Sequence, residues 1–467
     1  MTSFGSLNTG VTGLLAAQRA LAATAQNVVN ASTPGYSRQK VEQSSVGLTS
    51  SAVFHTGTNN PPTGVQIDGV VRIRDSFLEA TRAAAGGRLE SLQARQSTLA
   101  GVESLVSEPG EVGLQSGLDA FYSAWHELST NPTEAAAGSA VIQKAIAVTD
   151  QLHTLGNGIA TQWQETHNQL ADVVAKANQA ASDLAEINQR VGEGVRAGTA
   201  VNELMDKRDA LVRTLSELVG GYAVPGQDGQ VAVAVNGITI VHGMTAEKLT
   251  LTGAGSLDDA VTDPPTIRWG TVEVSVESGA AAGHLATLRT DLPDLSTKLD
   301  GVAQGLSDSV NAVHTGGFTL GGSAGGTFFS GVTARTITLT STSTDDLAIS
   351  TAPGVVDGAN AMKLGDLAKD QNSSTVLGGG PSPLQQWRSL TTGLGGQVDN
   401  LNSAIKVQSS VVTTADDAVE SNAGVSLDEE MSNLLAFQRA YQASARVITT
   451  VDEMMDTLIN KTGLVGR

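Results

Sequence analysis

The sequence predicts a mainly α-helical protein with a small β part. Three observations carry that prediction: a heptad string of apolar residues at each end, long apolar stripes at three- and four-residue steps between them, and one period-two stretch around an Asn-Gly pair. Together they describe terminal coiled-coil helices, an elongated helical-bundle domain and a small antiparallel β outer domain. At 467 residues the chain has room for roughly two to four domains. Residues 1–60 with 421–467 form the terminal unit in this reading. Residues 61–220 with 281–330 and 352–420 form the bundle, 221–280 the β domain, and 331–351 a short β segment.

At the N-terminal end, Leu7, Leu14, Leu21 and Val28 lie seven apart, with Val11 and Ala25 four after their predecessors. That is one helical stripe at coiled-coil period. Pro34 biases Thr33 away from the α region, so the helix should stop before it. Pro34-Gly35 suits the centre of a type II turn. The C-terminal end mirrors this. Leu427, Leu434, Tyr441, Ile448 and Met455 are spaced by seven, and Met431, Ala445 and Ile459 sit four beyond members of that series. Ser426 suits an N-cap, with Glu429 three residues later completing a capping box and Gly463 as the stop.

Both ends are therefore amphipathic helices with one narrow apolar strip. Such a helix is marginal in water unless the strip is packed. It can pack on its own domain, or the two ends can pair with each other and with neighbouring molecules.

Between the ends, apolar residues from Ala145 through Val195 keep helical spacing, a stripe of about 75 Å at 1.5 Å per residue. A break is expected near Gly156-Asn157-Gly158. Further helices should carry Leu204 to Leu218, Leu295 to Val313 and Leu384 to Val419. Aromatic residues make up only 3% of the chain, which suits thin helical bundles filled by aliphatic side chains. In the β region, Val231, Val233 and Val235 precede Asn236-Gly237, and Ile238 and Ile240 follow. A type I′ turn there pairs Val235 with Ile238 and Val233 with Ile240, on one face. Asp228-Gly229 closes an earlier hairpin, Ile267 to Val276 adds strands, and Thr336 to Ser350 adds a short β stretch.

Chemistry is hard to find. The 47 acidic against 28 basic side chains give −19, the wrong sign for nucleic acid or an anionic membrane surface. Cysteine is absent, which excludes disulfides and thiolate sites. No apolar run is long enough to span a bilayer, and the first residues lack a signal peptide's basic segment. The seven histidines show no metal spacing; His126-Glu127 lacks a second histidine at Thr130. Gly321-Gly322-Ser323-Ala324-Gly325 fits the spacing of a hydrolase nucleophile elbow. Such an elbow needs a flanking strand and helix and a later histidine, and none follows His314. The loop 316–326 reads instead as a flexible connector. No catalytic, cofactor or metal residue is assigned.

Two terminal segments carry a resemblance. Asn27-Val28-Val29-Asn30-Ala31-Ser32-Thr33-Pro34-Gly35-Tyr36-Ser37-Arg38 resembles the N-terminal motif shared by bacterial flagellar rod, hook and hook-associated proteins. Ser426 to Leu434 with Phe437 to Arg446 resembles the matching C-terminal motif. Internal segments narrow it: Phe121 to Leu128 with Asn131-Pro132-Thr133, Asn202 to Leu211, Leu299 to Ala303 with Val310-Asn311, and Gly325 to Phe329. In that order they resemble the hook-associated protein 1 family. The outer β material is shorter than in longer members.

The resemblance implies an extracellular structural subunit between hook and filament, with no catalysis or cofactor. It implies a short helical ring of copies whose terminal helices form an inner tube. It also implies hook protein and the third hook-associated protein as partners, export without a cleaved signal, and a chaperone on the C-terminal region. Carried onto this chain, the terminal motif comprises Asn27, Asn30, Thr33, Pro34, Gly35 and Tyr36. The assembly interface comprises Leu7, Val11, Leu14, Leu21, Val28, Leu427, Met431, Leu434, Tyr441, Ile448, Met455 and Ile459. The alternatives are another axial subunit such as the third hook-associated protein, and remotely a secreted hydrolase using Ser323. Terminal helices that order only on docking would hold back premature assembly.

Overall fold

A computed structural model describes residues 3–46, 64–106, 110 and 113–461. The chain opens with α1 (Ser3–Asn30), followed by a two-stranded ribbon of β1 (Gln39–Ser45) and β2 (Val65–Arg72). The helical trunk begins with α2 (Ser76–Val106), α3 (Leu114–Thr130), α4 (Ala135–Arg196) and α5 (Asn202–Val219). Seven short strands follow: β3 (Tyr222–Pro225), β4 (Val231–Val235), β5 (Ile238–His242), β6 (Thr245–Ala246), β7 (Leu249–Thr252), β8 (Thr266–Trp269) and β9 (Val272–Glu273). They form antiparallel sheets in the orders β3-β4-β5-β6 and β7-β8-β9. The chain returns through α6 (Ala280–Ala286) and α7 (Leu292–His314). A small pair, β10 (Phe329–Ser330) and β11 (Thr338–Leu339), precedes α8 (Ala359–Gly365), α9 (Asp370–Val376), α10 (Pro383–Ala423) and α11 (Leu427–Asp456).

The fold is mainly helical with small antiparallel sheets, as the periodicities predict. Several particulars differ. The long helix α4 starts at Ala135 and runs 62 residues without a break, about 93 Å at the α-helical rise. Gly156 and Gly158 are not breaks but points of close approach. A Cβ on Gly156 would sit 2.6 Å from Arg335, and one on Gly158 would sit 2.9 Å from Leu105. Packing there overrides the roughly 1 kcal/mol helix penalty of each glycine. Helix α2 and the β1–β2 ribbon have no counterpart in the predicted elements. The ribbon pairs residues on both sides of the expected 60/61 boundary. Gly463, the expected helix stop, lies outside the described residues.

The β4–β5 hairpin turns on Asn236-Gly237, both left-handed at φ 44° and 84°. Val235 faces Ile238 as expected, but a bulge then sets Val233 opposite Val241 instead of Ile240. The bulge lets both Ile240 and Val241 bury. The loop at 316–326 is not a flexible connector. Phe318 and Ser350 exchange both backbone hydrogen bonds, at 2.8 and 3.0 Å. Ser323 lies in this pinned loop, and both ring nitrogens of His314, the histidine nearest in sequence, are committed elsewhere. His314 Nδ1 lies 2.7 Å from the Gly326 carbonyl, and Nε2 accepts from Ala348 N at 3.0 Å. His314 is therefore not free to serve Ser323 as a general base, and the hydrolase alternative fails.

The trunk core runs along α4, lined by Val148, Leu152, Leu170, Ala177 and Leu184, against α2, α3, α5 and α7. Part of the small aromatic complement gathers in one cluster. Phe121 and Trp125 of α3 meet Phe328 and Phe329, with ring centroids 4.8 to 6.3 Å apart. A second device recurs: asparagines on helices hold extended backbone at two points. Asn311 Oδ1 accepts from Phe328 N and Phe329 N while its Nδ2 donates to Phe329 O. Asn178 does the same to Leu249, and Asn188 to Val231. Each clamp satisfies backbone groups that would otherwise be buried without partners.

Burial lowers the pKa of His314, with the Gly326 hydrogen bond opposing, and burial likewise lowers those of His284 and His167. A depressed folded-state value means stability is present above the unfolded pKa of about 6.5 and is lost as pH falls below it. Glu90 and Asp300 run the other way. Burial raises both, so their penalty is relieved only nearer the carboxylate range. Trunk stability should therefore fall as pH drops below about 6.5 toward the carboxylate range. Thermal melting across that window checks it; a flat profile would contradict it.

Candidate assembly site

Helices α1 and α11 lie antiparallel against each other. A Cβ on Gly10 would touch Ile448 at 2.9 Å, one on Gly13 would reach Ser444 at 3.0 Å, and Asn27 reaches Glu430. The face of α1 that meets α11 is not the predicted leucine string. Buried on α1 are Gly10, Ala16, Ala17, Ala20, Ala23, Thr24 and Asn27, mostly small side chains; Gly10, Gly13 and Asn27 meet α11, while Thr12, one turn before Ala16, accepts from Val65 N of β2. Leu7, Leu14, Leu21 and Val28 are only half-buried beside this seam, and Val11 is exposed.

On α11 the outcome is similar. Among its described residues only Glu430 and Val451 are buried. Leu434, Ile448 and Met455 are half-buried along the seam, while Leu427, Met431, Tyr441 and Ile459 are exposed. Ile459 follows the helix in a π turn, Thr457–Lys461. Exposed Leu15, Leu435, Val447, Met454 and Leu458 extend the apolar surface beyond the predicted set. A thirty-residue helix with two buried residues has most of its apolar surface still in water. Among the described residues, the terminal pair touches the rest of the chain mainly through the β1–β2 ribbon and through one polar junction.

The terminal motif builds that junction. Helix α1 ends at Asn30, and Thr33 to Tyr36 close a turn with Tyr36 N donating to Thr33 O at 3.1 Å. Gly35 takes φ +79°, which the type II turn requires at that place. Thr33, Pro34 and Gly35 are exposed, and Asn30 is half-buried and bonded to Gln26 O. Asn27 is the buried centre. Its Oδ1 accepts from Tyr36 Oη and Gln39 N, both at 2.9 Å. Its Nδ2 donates to Gln39 O at 2.9 Å and to Glu430 Oε2 at 3.0 Å. All four hydrogen-bonding sites of the amide are used.

Glu430 is 1% exposed, and its charge is met by Arg38, whose Nε and Nη2 each lie 2.8 Å from Oε1. Arg38 Nη1 also reaches Glu429 at 2.8 Å. This corrects the expected capping box. Ser426 Oγ does accept from Glu429 N at 3.5 Å, but the Glu429 carboxylate serves Arg38. Burial, together with Asp206, Glu430 and Glu203, pushes the Tyr36 hydroxyl up to about 12, so it remains a neutral donor.

From the turn the network passes into the trunk. Ser37 Oγ donates to Asp206 Oδ1 at 3.0 Å. Arg72 Nη1 reaches Asp206 at 2.6 Å and Asp209 at 3.0 Å, and Arg74 and Arg208 also pair with Asp209. Burial and the neighbouring Arg72 and Arg74 lower the Arg208 pKa to about 10. Asn202 Nδ2 donates to Val70 O at 2.9 Å. Thus the N-terminal motif, the C-terminal motif and the Asn202 to Leu211 segment meet in one network.

The sequence marks those three segments separately; it gives Glu430 only a helix-dipole role in the first turn of α11, with Asp428 and Glu429, and gives Arg38, Asp206 and Asp209 none. Among the described residues, no cluster of His, Asp and Glu side chains could hold a metal ion. No helix there is long and apolar enough to cross a membrane.

Comparison with known proteins places these elements. Residues 99–329 match the model of the Flagellar hook-associated protein FlgK helical domain. Residues 7–36 match that of the Flagella basal body rod protein, and residues 419–461 that of the Flagellar basal body rod FlgEFG protein C-terminal. The chain is 29% identical to Flagellar hook-associated protein 1 of Bacillus subtilis strain 168, covering 100% of both chains. It is 25% identical to the proteins of that name from Salmonella typhimurium and Escherichia coli K12, over 97% of this chain and 99% of each relative. Its fold is similar to the flagellar hook junction protein FlgK from Burkholderia pseudomallei, with TM-score 0.64 and 14% identity. That likeness covers 75% of this chain and 100% of the other.

Proposed function

Because the chain belongs to the flagellar hook-associated protein 1 family, we propose that it is built into the hook–filament junction through the exposed apolar strips of α1 and α11. It is a structural subunit of the bacterial flagellum and not an enzyme. The observation that carries the assembly reading is α11, thirty residues long with two of its described residues buried. Its outward apolar residues find no cover among the described residues of the chain.

Copies of the chain associate as a short helical array, each strip meeting a different strip on the next copy. A helical array needs such heterologous contacts. The predicted interface residues that stay exposed, Val11, Leu427, Met431, Tyr441 and Ile459, supply the first contacts. Leu7, Leu14, Leu21, Val28, Leu434, Ile448 and Met455 supply their borders. The array meets hook protein on one side and the third hook-associated protein on the other. Before export a chaperone covers the exposed Met454, Leu458 and Ile459 surface. The family-model match across 99–329 favours this reading over the third hook-associated protein itself.

Deletion of the chain should leave cells with hooks and without attached filaments, with filament subunits shed into the medium. Electron microscopy of the cells checks this. Attached filaments in the deletion strain would overturn it.

A further inference from the structure

Two surfaces of the trunk have no partner among the described residues of the chain, and they complement each other. One is a groove of about 630 Å³ between α2, α5 and the edge strand β3. Ala80, Ala84 and Arg88 line it at four-residue steps, so they share one face of α2. Phe77, 74% exposed, begins the same stripe seven residues before Ala84. Alanines give a shallow floor into which larger side chains can seat. Arg213 stands on the opposite wall. Neither Arg88 nor Arg213 makes an ion pair or side-chain hydrogen bond among the described residues.

The other surface is the outer face of α10. Val407 and Val411 are 66% and 45% exposed, Thr414 continues their stripe, and Asp417 stands beside its end, on the row that also carries the exposed Lys406. Asp417 is exposed and has no partner among the described residues, unlike its neighbour Asp416, which pairs with Arg82. One surface is a basic groove with an aromatic edge; the other is a β-branched ridge with a carboxylate beside its end. Both are exposed, so a contact between them would join two copies; repeated from copy to copy it is head-to-tail and open, whereas a two-fold pair would close after two copies. The chain carries −19 overall, so a groove with two unpaired arginines is where a second copy's carboxylate is welcomed.

We propose that the Val407–Val411 ridge of α10 in one copy seats in the α2 groove of the next, with Asp417 against Arg88. This rests on the reading that copies associate, and it adds a trunk-to-trunk contact to the terminal one.

The chain has no cysteine, so one engineered pair is unambiguous. Ala84→Cys and Val411→Cys are placed in one chain, which is produced in cells; the flagella are isolated and mildly oxidised. The expected result is a ladder of covalent dimers and larger species on a denaturing gel. Either single variant should stay monomeric, and the two single variants produced together should give dimers only.

Dimers from Val411→Cys alone would show the ridge meeting itself and would overturn the proposal. So would monomers from the double variant when the subunit is present in the flagella. Absence of the unsubstituted subunit from the flagella would instead overturn the proposed function. As a second measurement in the double-cysteine chain, Arg88→Glu should lower the cross-link yield roughly fivefold, and adding Asp417→Arg should restore it. Both positions are exposed, so the fold is unaffected. An unchanged yield in Arg88→Glu would count against the contact.

Discussion

Leu427→Asp combined with Met431→Asp should leave the purified chain melting as the unsubstituted chain does, while cells producing it lose their filaments. The two side chains are 53% and 52% exposed and sit one helical turn apart on α11. In the free chain both changes replace exposed apolar surface with solvated charge, an effect within about 0.5 kcal/mol per site. In an assembled contact each carboxylate would be taken out of water without a partner, at an effective cost of several kcal/mol per charge. The two effects together exceed what a contact between copies can absorb, so incorporation should fall by orders of magnitude. Thermal melting of the purified chain and counts of filament-bearing cells separate the two effects. Filament-bearing, swimming cells would contradict the account. Leu14→Asp and Leu434→Asp should also block assembly, but both residues border the α1–α11 seam, so some stability is lost with them.

Glu430→Ala should have the largest effect on the terminal unit itself. The carboxylate is buried, holds Arg38 through one oxygen and accepts from Asn27 through the other. Removing it strands a guanidinium that is 21% exposed with only the solvent-facing Glu429 as partner, and it leaves one Asn27 proton unbonded. Breaking a buried pair in this way costs about 3–5 kcal/mol. Glu430→Gln keeps the Asn27 contact and should cost less. The trunk core does not include this site, so it should melt unchanged. Hydrogen exchange read by mass spectrometry checks the effect: peptides covering 14–45 and 427–455 should lose protection in Glu430→Ala, and peptides of α4 should not. Equal loss in both regions would show that the junction is not a separate unit.

The two largest effects fall on residues that sequence periodicity ranks differently. Met431 and Leu427 are among the predicted interface residues, whereas the sequence pattern makes Glu430 no more than an acidic residue in the first turn of a helix. A period of seven reveals which residues share a helix face, but not which of two possible faces meets the neighbouring helix. On α1 the leucines dominate the pattern, while the close contact with α11 falls on Gly10 and Gly13, where an added Cβ would meet Ile448 and Ser444. Small residues carry little hydropathy signal, so that seam is invisible to it.

Helix α2 is hidden in the sequence for a related reason. Its residues touch neighbours on several sides, and its buried positions are spread over Ala85, Gly87, Thr98, Leu99 and Val102 without one continuous apolar stripe. The glycines of α4 mislead in the opposite direction, because packing against Arg335 and Leu105 fixes a helix that propensity would break. The turn chemistry, by contrast, is local. Pro34-Gly35 and Asn236-Gly237 each dictate their own backbone angles, and both turns form where the residues place them. The polar junction is not legible in advance, since Asn27, Arg38, Asp206 and Glu430 are brought together only by the tertiary fold.

The central claim is that the outward strips of the terminal helices are covered by other copies. Electron cryo-microscopy of isolated hook–filament junctions, at a resolution that shows side chains, tests it most directly. The account predicts that Val11, Leu427, Met431 and Ile459 of each copy lie in contact with neighbouring subunits. Terminal helices standing apart, with those four side chains still facing water, would contradict it.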